Sequence, residues 1–408
     1  MKKTLMKLAL ASQLALAAHA AWATTDNTAH VTALTSQPWV EIEKQAFGQT
    51  VYFNAWGGSQ EINDYLRWAS RQLKSQYGVN LKHVKVADIA ETTQRLLAEK
   101  TAGKNNGGSV DLVWINGENF RSMKQSHLLY GPFVENLPNW QSVDKTLPID
   151  RDFTEPTDGL EAPWGVGQLV FIHDTDTLKQ PPRSFADLLT LAKAHPGKIS
   201  YPQPPEFHGS SFLKAALLEL TDKPDELYQP IDSKTEHQRF ERVTAPLWAY
   251  LDQLHPVAWH KGQRFPSGTS ETVQLLDDQQ LLLAITFNPN AANAAIEQGN
   301  LVDTAQTFAF TQGALSNIHF LAIPWNANAK AGALVTINFL MSPAAQARKA
   351  DARIWGDPSV LTSEALMQVQ PNNKQTGTQG FSLYKAIPEP HPSWLTAIEL
   401  EWQKRYGS

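Results

Sequence analysis

Val51-Tyr52-Phe53-Asn54-Ala55-Trp56-Gly57-Gly58-Ser59 is the stretch that decides the fold class. Its first six residues are mostly apolar or aromatic, as a buried strand requires. Two glycines then turn the chain, and Ser59 is placed to cap a helix. Ile62, Tyr65, Leu66, Ala69 and Leu73 follow at the 3.6-residue period of a helix with one buried face, and Gly78 ends it. A short strand is expected near Val84 and Val86, then a helix bearing Leu96 and Leu97. Residues 110–115 are almost continuously apolar, as in a parallel strand covered on both faces.

The same theme recurs downstream. Residues 168–172 read as a strand, and Ser184 with Asp187 forms a capping pair before Leu188, Leu189 and Ala192. Residues 199–201 read as a strand. A loop with Pro202, Pro204, Pro205 and Gly209 then leads to a helix bearing Phe212, Leu213, Ala216, Leu217 and Leu220. Strands are expected at 281–287 and 319–323, a helix at 291–298, and mostly helices beyond Ala329. Strands alternating with helices predict an α/β chain with parallel sheets.

The chain has 408 residues, 42% apolar, 18% charged and no cysteine. It exceeds what one hydrophobic core usually organises, so two α/β lobes are expected. The apolar share argues against disorder. Without Cys there is no disulfide framework, thiolate metal site, cysteine nucleophile or lipid-modified cysteine. A formal charge of −5 lacks the basic footprint of a nucleic-acid binder.

The N-terminus reads as an export signal. Lys2, Lys3 and Lys7 precede a short apolar run at 8–18, followed by small-x-small patterns ending at Ala20 and Ala23. The run is about half the ~20 residues of a membrane span. Removing residues 1–23 takes away three lysines and no acid, which moves the formal charge from −5 to −8. The expected product is a soluble protein, free in the periplasm.

In open α/β sheets, ligands bind beyond the carboxyl ends of strands, and three such ends stand out. Trp56, Gly57 and Gly58 offer an aromatic face and backbone amides at a helix N-terminus, where an anion is favoured; the alternative is a plain turn with a core Trp. Asn116, Gly117 and Glu118 cluster polar groups after a buried strand, with helix capping as the alternative. Asn288 follows a third strand and suits a cap or a ligand contact, Pro289 fitting the first turn of a helix. Two loops join these. Trp164 can wall a cleft beside a Gly165 hinge, or be core. Gly209, Ser210 and Ser211 read as the opening of a helix, a second anion-favouring terminus.

Nucleophile-elbow, zincin, P-loop and dinucleotide motifs are absent. His255 and His260, five apart with Pro256 between them, have no metal-ligand spacing. Glu118 has no partner at a telling spacing. No catalytic residue, metal or cofactor is therefore expected, although a carboxylate pair brought together by folding is invisible at this level.

Taken in order, these features resemble the type II solute-binding proteins of bacterial ATP-binding-cassette (ABC) importers. The likeness runs through the 51–58 strand and turn, Asp111-Leu112-Val113-Trp114-Ile115, and Ala162-Pro163-Trp164-Gly165 with the strand and turn after it. It continues at Ile285-Thr286-Phe287-Asn288-Pro289-Asn290. Tyr201-Pro202-Gln203-Pro204-Pro205-Glu206-Phe207-His208-Gly209-Ser210-Ser211-Phe212 and Pro388-Glu389-Pro390-His391-Pro392-Ser393-Trp394 resemble a subgroup near the thiamine-, iron- and polyamine-binding members. The resemblance implies two lobes, each a mostly parallel sheet flanked by helices, joined by crossover strands and closing on a small molecule like a hinge. It places the first lobe at 24–165 plus about 312–345, and the second at 166–311 plus helices over about 346–408.

The resemblance also implies a monomeric receptor, no catalysis, and delivery to an inner-membrane permease. Iron-binding relatives use neighbouring tyrosines, and none of the nine Tyr here adjoins another. The 13 Trp, Glu118 and the acidic charge suit an organic cation, thiamine or a related heteroaromatic amine first. The helix N-termini at Ser59 and Ser210 pull towards a phosphate or carboxylate, so a zwitterion or phosphorylated heterocycle would use both. A secreted hydrolase or lyase on a two-lobed frame is the alternative, and an interaction module without a small ligand a third reading.

Overall fold

In the computed structural model, which describes residues 34–369 and 384–407, helix α1 (Trp39–Ala46) leads into strand β1 (Thr50–Trp56). The export segment lies outside the described residues. Helix α2 (Gln60–Tyr77) starts where Ser59 Oγ accepts the Ile62 amide at 3.2 Å, and it buries Ile62, Tyr65, Leu66, Ala69 and Leu73. It stops at Gly78, whose φ of +69° suits glycine; a β-carbon there would also stand 2.4 Å from the Phe47 ring. Strand β2 (Asn80–Val86), helix α3 (Ala90–Thr101), strand β3 (Leu112–Ile115) and helix α4 (Gly117–Gln125) complete the repeat. Strands β2 and β3 flank β1 in parallel.

After a two-strand hairpin, β4 (Arg151–Asp152) and β5 (Glu155–Pro156), comes β6 (Glu161–Gln168), continued by β7 (Val170–Asp174). Helices α5 (Phe185–Ala194), α6 (Phe207–Leu220), α7 (His237–Leu254) and α8 (Thr269–Asp277) follow. Next are β8 (Ala284–Thr286), α9 (Ala291–Glu297), β9 (Ala305–Phe308) and the long β10 (Ala314–Ala322). The chain ends with α10 (Lys330–Leu340), α11 (Pro343–Ala350), α12 (Ser363–Met367), β11 (Ala386–Pro388) and α13 (Pro392–Tyr406).

Strands β6 and β10 pair antiparallel from Ser316 opposite Gln168 to Ala322 opposite Glu161, wholly buried. This pair links two hydrophobic cores. The first takes Phe53, Leu66, Leu112, Trp164 and Val166, and on β10 Ile318 and Phe320. The second takes Leu169, Phe171, Phe212, Leu251, Trp394 and Trp402, and on β10 Leu315. Strand β10 therefore crosses from one core to the other, and β6 leaves the first core just before Leu169 enters the second.

Four expectations need correction. The larger sheet, in the order β11-β10-β3-β1-β2 with β6 on β10, is largely parallel, but the second sheet, β8-β7-β9, pairs only antiparallel. Residues 199–201 form no strand: Pro202, Pro204 and Pro205 follow at once, and proline cannot donate to a ladder. The 281–287 strand is only Ala284–Thr286. Finally, the stretch beyond 345 packs with the first core as far as Leu366, not with the C-terminal helix. Trp355 lies 5.5 Å from Tyr65 and 5.3 Å from Trp164 between ring centroids, and the Thr362 amide donates to the Ser142 carbonyl.

Candidate functional site

Helix α6 belongs to the second core and carries a buried lysine. Lys214 is only 2% exposed, and its Nζ donates to Glu389 Oε2 at 2.7 Å. Glu389 directly follows β11, and its other oxygen accepts from Asn317 Nδ2 on β10 at 3.1 Å. The lysine also lies over two rings, 4.8 Å from the centroid of Phe153 and 5.9 Å from that of Phe207. Phe153 sits at the tip of the β4–β5 hairpin with φ +54°. Its ring closes on Gly117 so tightly that a β-carbon there would be 2.5 Å away, and Gly117 itself has φ +57°. The Gly117 amide donates to Asp152 Oδ2 at 2.6 Å.

Four carboxyl groups surround this lysine. Burial raises the Glu118 pKa; nearby Lys214 opposes the rise and Asp88 adds to it. Burial likewise pushes Glu399 on α13 up to about 7, against a hydrogen bond from Ser210 Oγ and with repulsion from Glu118. Asp152 is pushed up to about 8 by burial, against the Gly117 amide and with Glu389 repelling it. Glu389 is neutralised by Lys214, and it is the partner the lysine already has. Two charges enclosed together are tolerated because each is paired and hydrogen-bonded. Ser211 Oγ and Asp152 Oδ1, both fully buried, have no partner among the described residues.

The residues expected from sequence fall in different places. Glu118, Gly117, Ser210 and Ser211 belong to the elements around Lys214. Asn116 precedes α4 in extended conformation without capping it through its side chain. Trp56 is half-buried at the end of β1, with its indole against Gly58, where a β-carbon would stand 2.4 Å from the ring. Gly57 meets the Lys85 side chain in the same way, and its carbonyl accepts from Asn63 Nδ2 at 3.1 Å. Trp164 is completely enclosed among Phe53, Tyr65, Trp114, Trp355 and His319, and in this arrangement walls no opening. Asn288 Nδ2 donates to the Trp355 carbonyl at 3.1 Å and its Oδ1 accepts from the Asn290 amide at 2.9 Å, so it ties the α9 loop to the first core.

The expected anion-favouring termini are both filled by the chain's own side chains. Helix α6 starts at Phe207, not at Gly209, and the Glu206 carboxylate takes the amides of His208 and Gly209 at 2.7 and 3.0 Å. Its first turn is also shut by the Pro202 carbonyl, 2.0 Å from where a Gly209 β-carbon would lie. At α2, Ser59 supplies the cap and Glu61 adds a negative charge.

Sequence reasoning missed Lys214, Glu389, Glu399, Asp152, Phe153, Phe207 and Asn317. One signal was legible: Lys214 interrupts the apolar stretch 212–218, flanked by Phe212, Leu213, Ala216 and Leu217. The others come from five separate stretches of chain and carry no local mark.

A second buried network sits on the crossover pair. His319 Nε2 lies 3.1 Å from Asp357 Oδ2, which also takes Lys349 Nζ, and that nitrogen donates to the Pro358 carbonyl at 3.0 Å. Burial alone would raise the Asp357 pKa, but the charges and hydrogen bonds of His319 and Lys349 outweigh it and hold the carboxyl below its usual range. Among the described residues no group of three His, Cys, Asp or Glu is placed to hold a metal, and no helix is long and apolar enough to cross a membrane.

The family model for bacterial extracellular solute-binding proteins matches residues 68–376. The chain belongs to that family. It is 47% identical over 370 residues to Protein YnjB of Escherichia coli K12, covering 91% of this chain and 94% of that one. The putrescine-binding periplasmic protein SpuD of Pseudomonas aeruginosa is 23% identical over 312 residues, 69% of this chain and 78% of the relative. Among solved structures, the periplasmic binding protein AfuA of Actinobacillus pleuropneumoniae, with fructose-6-phosphate bound, superposes with a TM-score of 0.61 at 14% identity. That match covers 88% of this chain and 99% of AfuA. The two cores and their crossover pair are thus the two-lobed type II periplasmic-binding-protein fold, and this is a solute-binding protein of the ABC-importer kind. Proteins of this kind bind a small ligand and deliver it to a permease; the family and these neighbours are binding proteins, not enzymes.

Proposed function

We propose that this chain captures a small organic cation between its two lobes and releases it, chemically unchanged, to an inner-membrane permease. The lobes would be the two cores, with Glu118 on the first and Glu399 on the second facing the cation together. The reading includes export to the periplasm with cleavage near Ala20 or Ala23, a monomeric receptor, and no catalytic step. Relatives do not decide the ligand charge: SpuD is a putrescine-binding protein, and AfuA holds fructose-6-phosphate.

One observation carries the cationic reading. Lys214 is already neutralised by Glu389, and what remains around it is carboxylate: Glu118, whose proton affinity is raised by burial and by Asp88, and Glu399, whose proton affinity is raised by burial and by Glu118. A ligand cation relieves that repulsion, whereas an anion adds to it. Capping of both helix termini removes the main argument for an anion. Trp56 supplies an aromatic face at the end of β1. Thiamine, a heteroaromatic cation, is the first compound to test.

The test is titration calorimetry of the protein purified after export, with thiamine and simple amines. Binding that weakens at least tenfold in E118Q and E399Q, with the melting temperature kept, supports the reading. Binding of sugar phosphates but of no cation at millimolar concentration overturns it, and turnover of a bound compound would reinstate the enzyme alternative.

A further inference from the structure

We infer that Lys214 sets the ligand's charge: it is a built-in ammonium filling one cation position of the cleft, so the site accepts one cationic centre and rejects a second. The inference rests on the cationic reading above and deepens it.

The surroundings of Lys214 Nζ are those a protein provides for a bound ammonium. A carboxylate oxygen lies at 2.7 Å and two aromatic rings at 4.8 and 5.9 Å, and the group is almost fully enclosed. This position is closed to a ligand. Glu389 is buried, with one oxygen holding the lysine and the other accepting from Asn317. The elements that build the box come from both sides: α6 and α13 from the second core, and α4, the β4–β5 hairpin, β10 and β11 from the larger sheet and its connections.

Three carboxyl groups remain besides Glu389. Asp152 is enclosed, takes the Gly117 amide on one oxygen and stays largely protonated at neutral pH. Burial pushes Glu399 up to about 7, and repulsion from Glu118 adds to the rise. Lys214 lies close enough to lower the proton affinity of Glu118, Asp152 and Glu399 alike. A ligand cation lodged between Glu118 and Glu399 therefore balances the site, and a second one on the same molecule meets the Lys214 ammonium at close range. A polar or anionic group at that end faces the lysine favourably. The unpartnered Ser211 Oγ, on the same helix and three residues before Lys214, and Asp152 Oδ1 add hydrogen-bonding capacity for such a group. The chemical class implied is a monocation or zwitterion, not a diamine.

Calorimetric titration with three four-carbon probes tests this: 1,4-diaminobutane, 4-aminobutan-1-ol and 4-aminobutanoate. The expected result is that the wild-type protein binds the amino alcohol or the zwitterion at least 100-fold more tightly than the diamine. In K214Q, which keeps a donor for Glu389, that ratio falls at least 30-fold through tighter diamine binding. Diamine binding equal to or tighter than the amino alcohol overturns the inference while leaving the cationic reading intact, and so does an unchanged ratio in folded K214Q. Should K214Q fail to fold, the wild-type ratio decides alone. Failure of all three probes and of thiamine to bind at millimolar concentration overturns both readings.

Discussion

Gly165 on β6 and Asp357 approach so closely that a β-carbon on the glycine would stand 2.1 Å from Asp357 Oδ2, and equally close to His319 Nε2. The three residues lie where the crossover pair passes between lobes, and Lys349 completes the network from α11. The glycine thus clears space for a buried charge cluster that holds β10 to the 349–358 segment. Without Gly165 the carboxylate has to move away from its partners, and an unpaired buried charge is costly.

Gly165→Ala is accordingly expected to destabilise the protein by about 1–3 kcal/mol, the range for overpacking. Thermal unfolding followed by circular dichroism reads this directly. A melting temperature equal to that of the wild type would show that the network is not constrained by the glycine.

The two tryptophans read from the sequence as cleft walls are expected to behave differently. Trp164 is surrounded by five aromatic rings, so Trp164→Ala is expected to cost about 3–5 kcal/mol. Trp56 is half-buried, so Trp56→Ala is expected to cost under about 2 kcal/mol while weakening cation binding about tenfold. Urea unfolding of both variants, with thiamine titration of the second, separates stability from affinity. Equal stability losses would refute the distinction.

Stability is expected to fall as pH rises, through Asp152. Its folded pKa, pushed up to about 8, stands above the ordinary carboxyl value near ~4. The folded state therefore keeps a proton that the unfolded chain gives up. This contribution is complete below about pH 4 and is lost progressively as pH climbs to about 8. Asp152→Asn, neutral throughout, is expected to flatten the pH dependence of unfolding between pH 5 and 8 by up to ~1.4 kcal/mol per pH unit. A variant with the wild-type slope would show that Asp152 does not hold the proton.

Much of the first lobe was legible in order of sequence. The Ser59 cap, the α2 face from Ile62 to Leu73 and the Gly78 stop depend on contacts within one or two turns of chain, and local pattern reports those directly. The second sheet was not. Its strands are short, its pairings are antiparallel and distant, and Ile285 reads equally well as a parallel or an antiparallel strand residue. The apparent helix start at Ser210 failed for a local reason: Glu206, four residues earlier, caps better than the Gly-Ser pair, because its carboxylate reaches two amides at once.

By itself the sequence determined the class of fold and the family, since periodicity, caps and turn glycines act over a few residues. Only the tertiary structure decided which of the candidate side chains meet and what charge they present. Glu118, Ser210, Lys214, Glu389 and Glu399 are spread over nearly three hundred residues, and no short-range pattern records that one lysine is to neutralise one carboxylate and leave two others waiting. Electrostatic balance in a cleft depends on through-space distance and burial, and both are set when the lobes pack against their crossover strands.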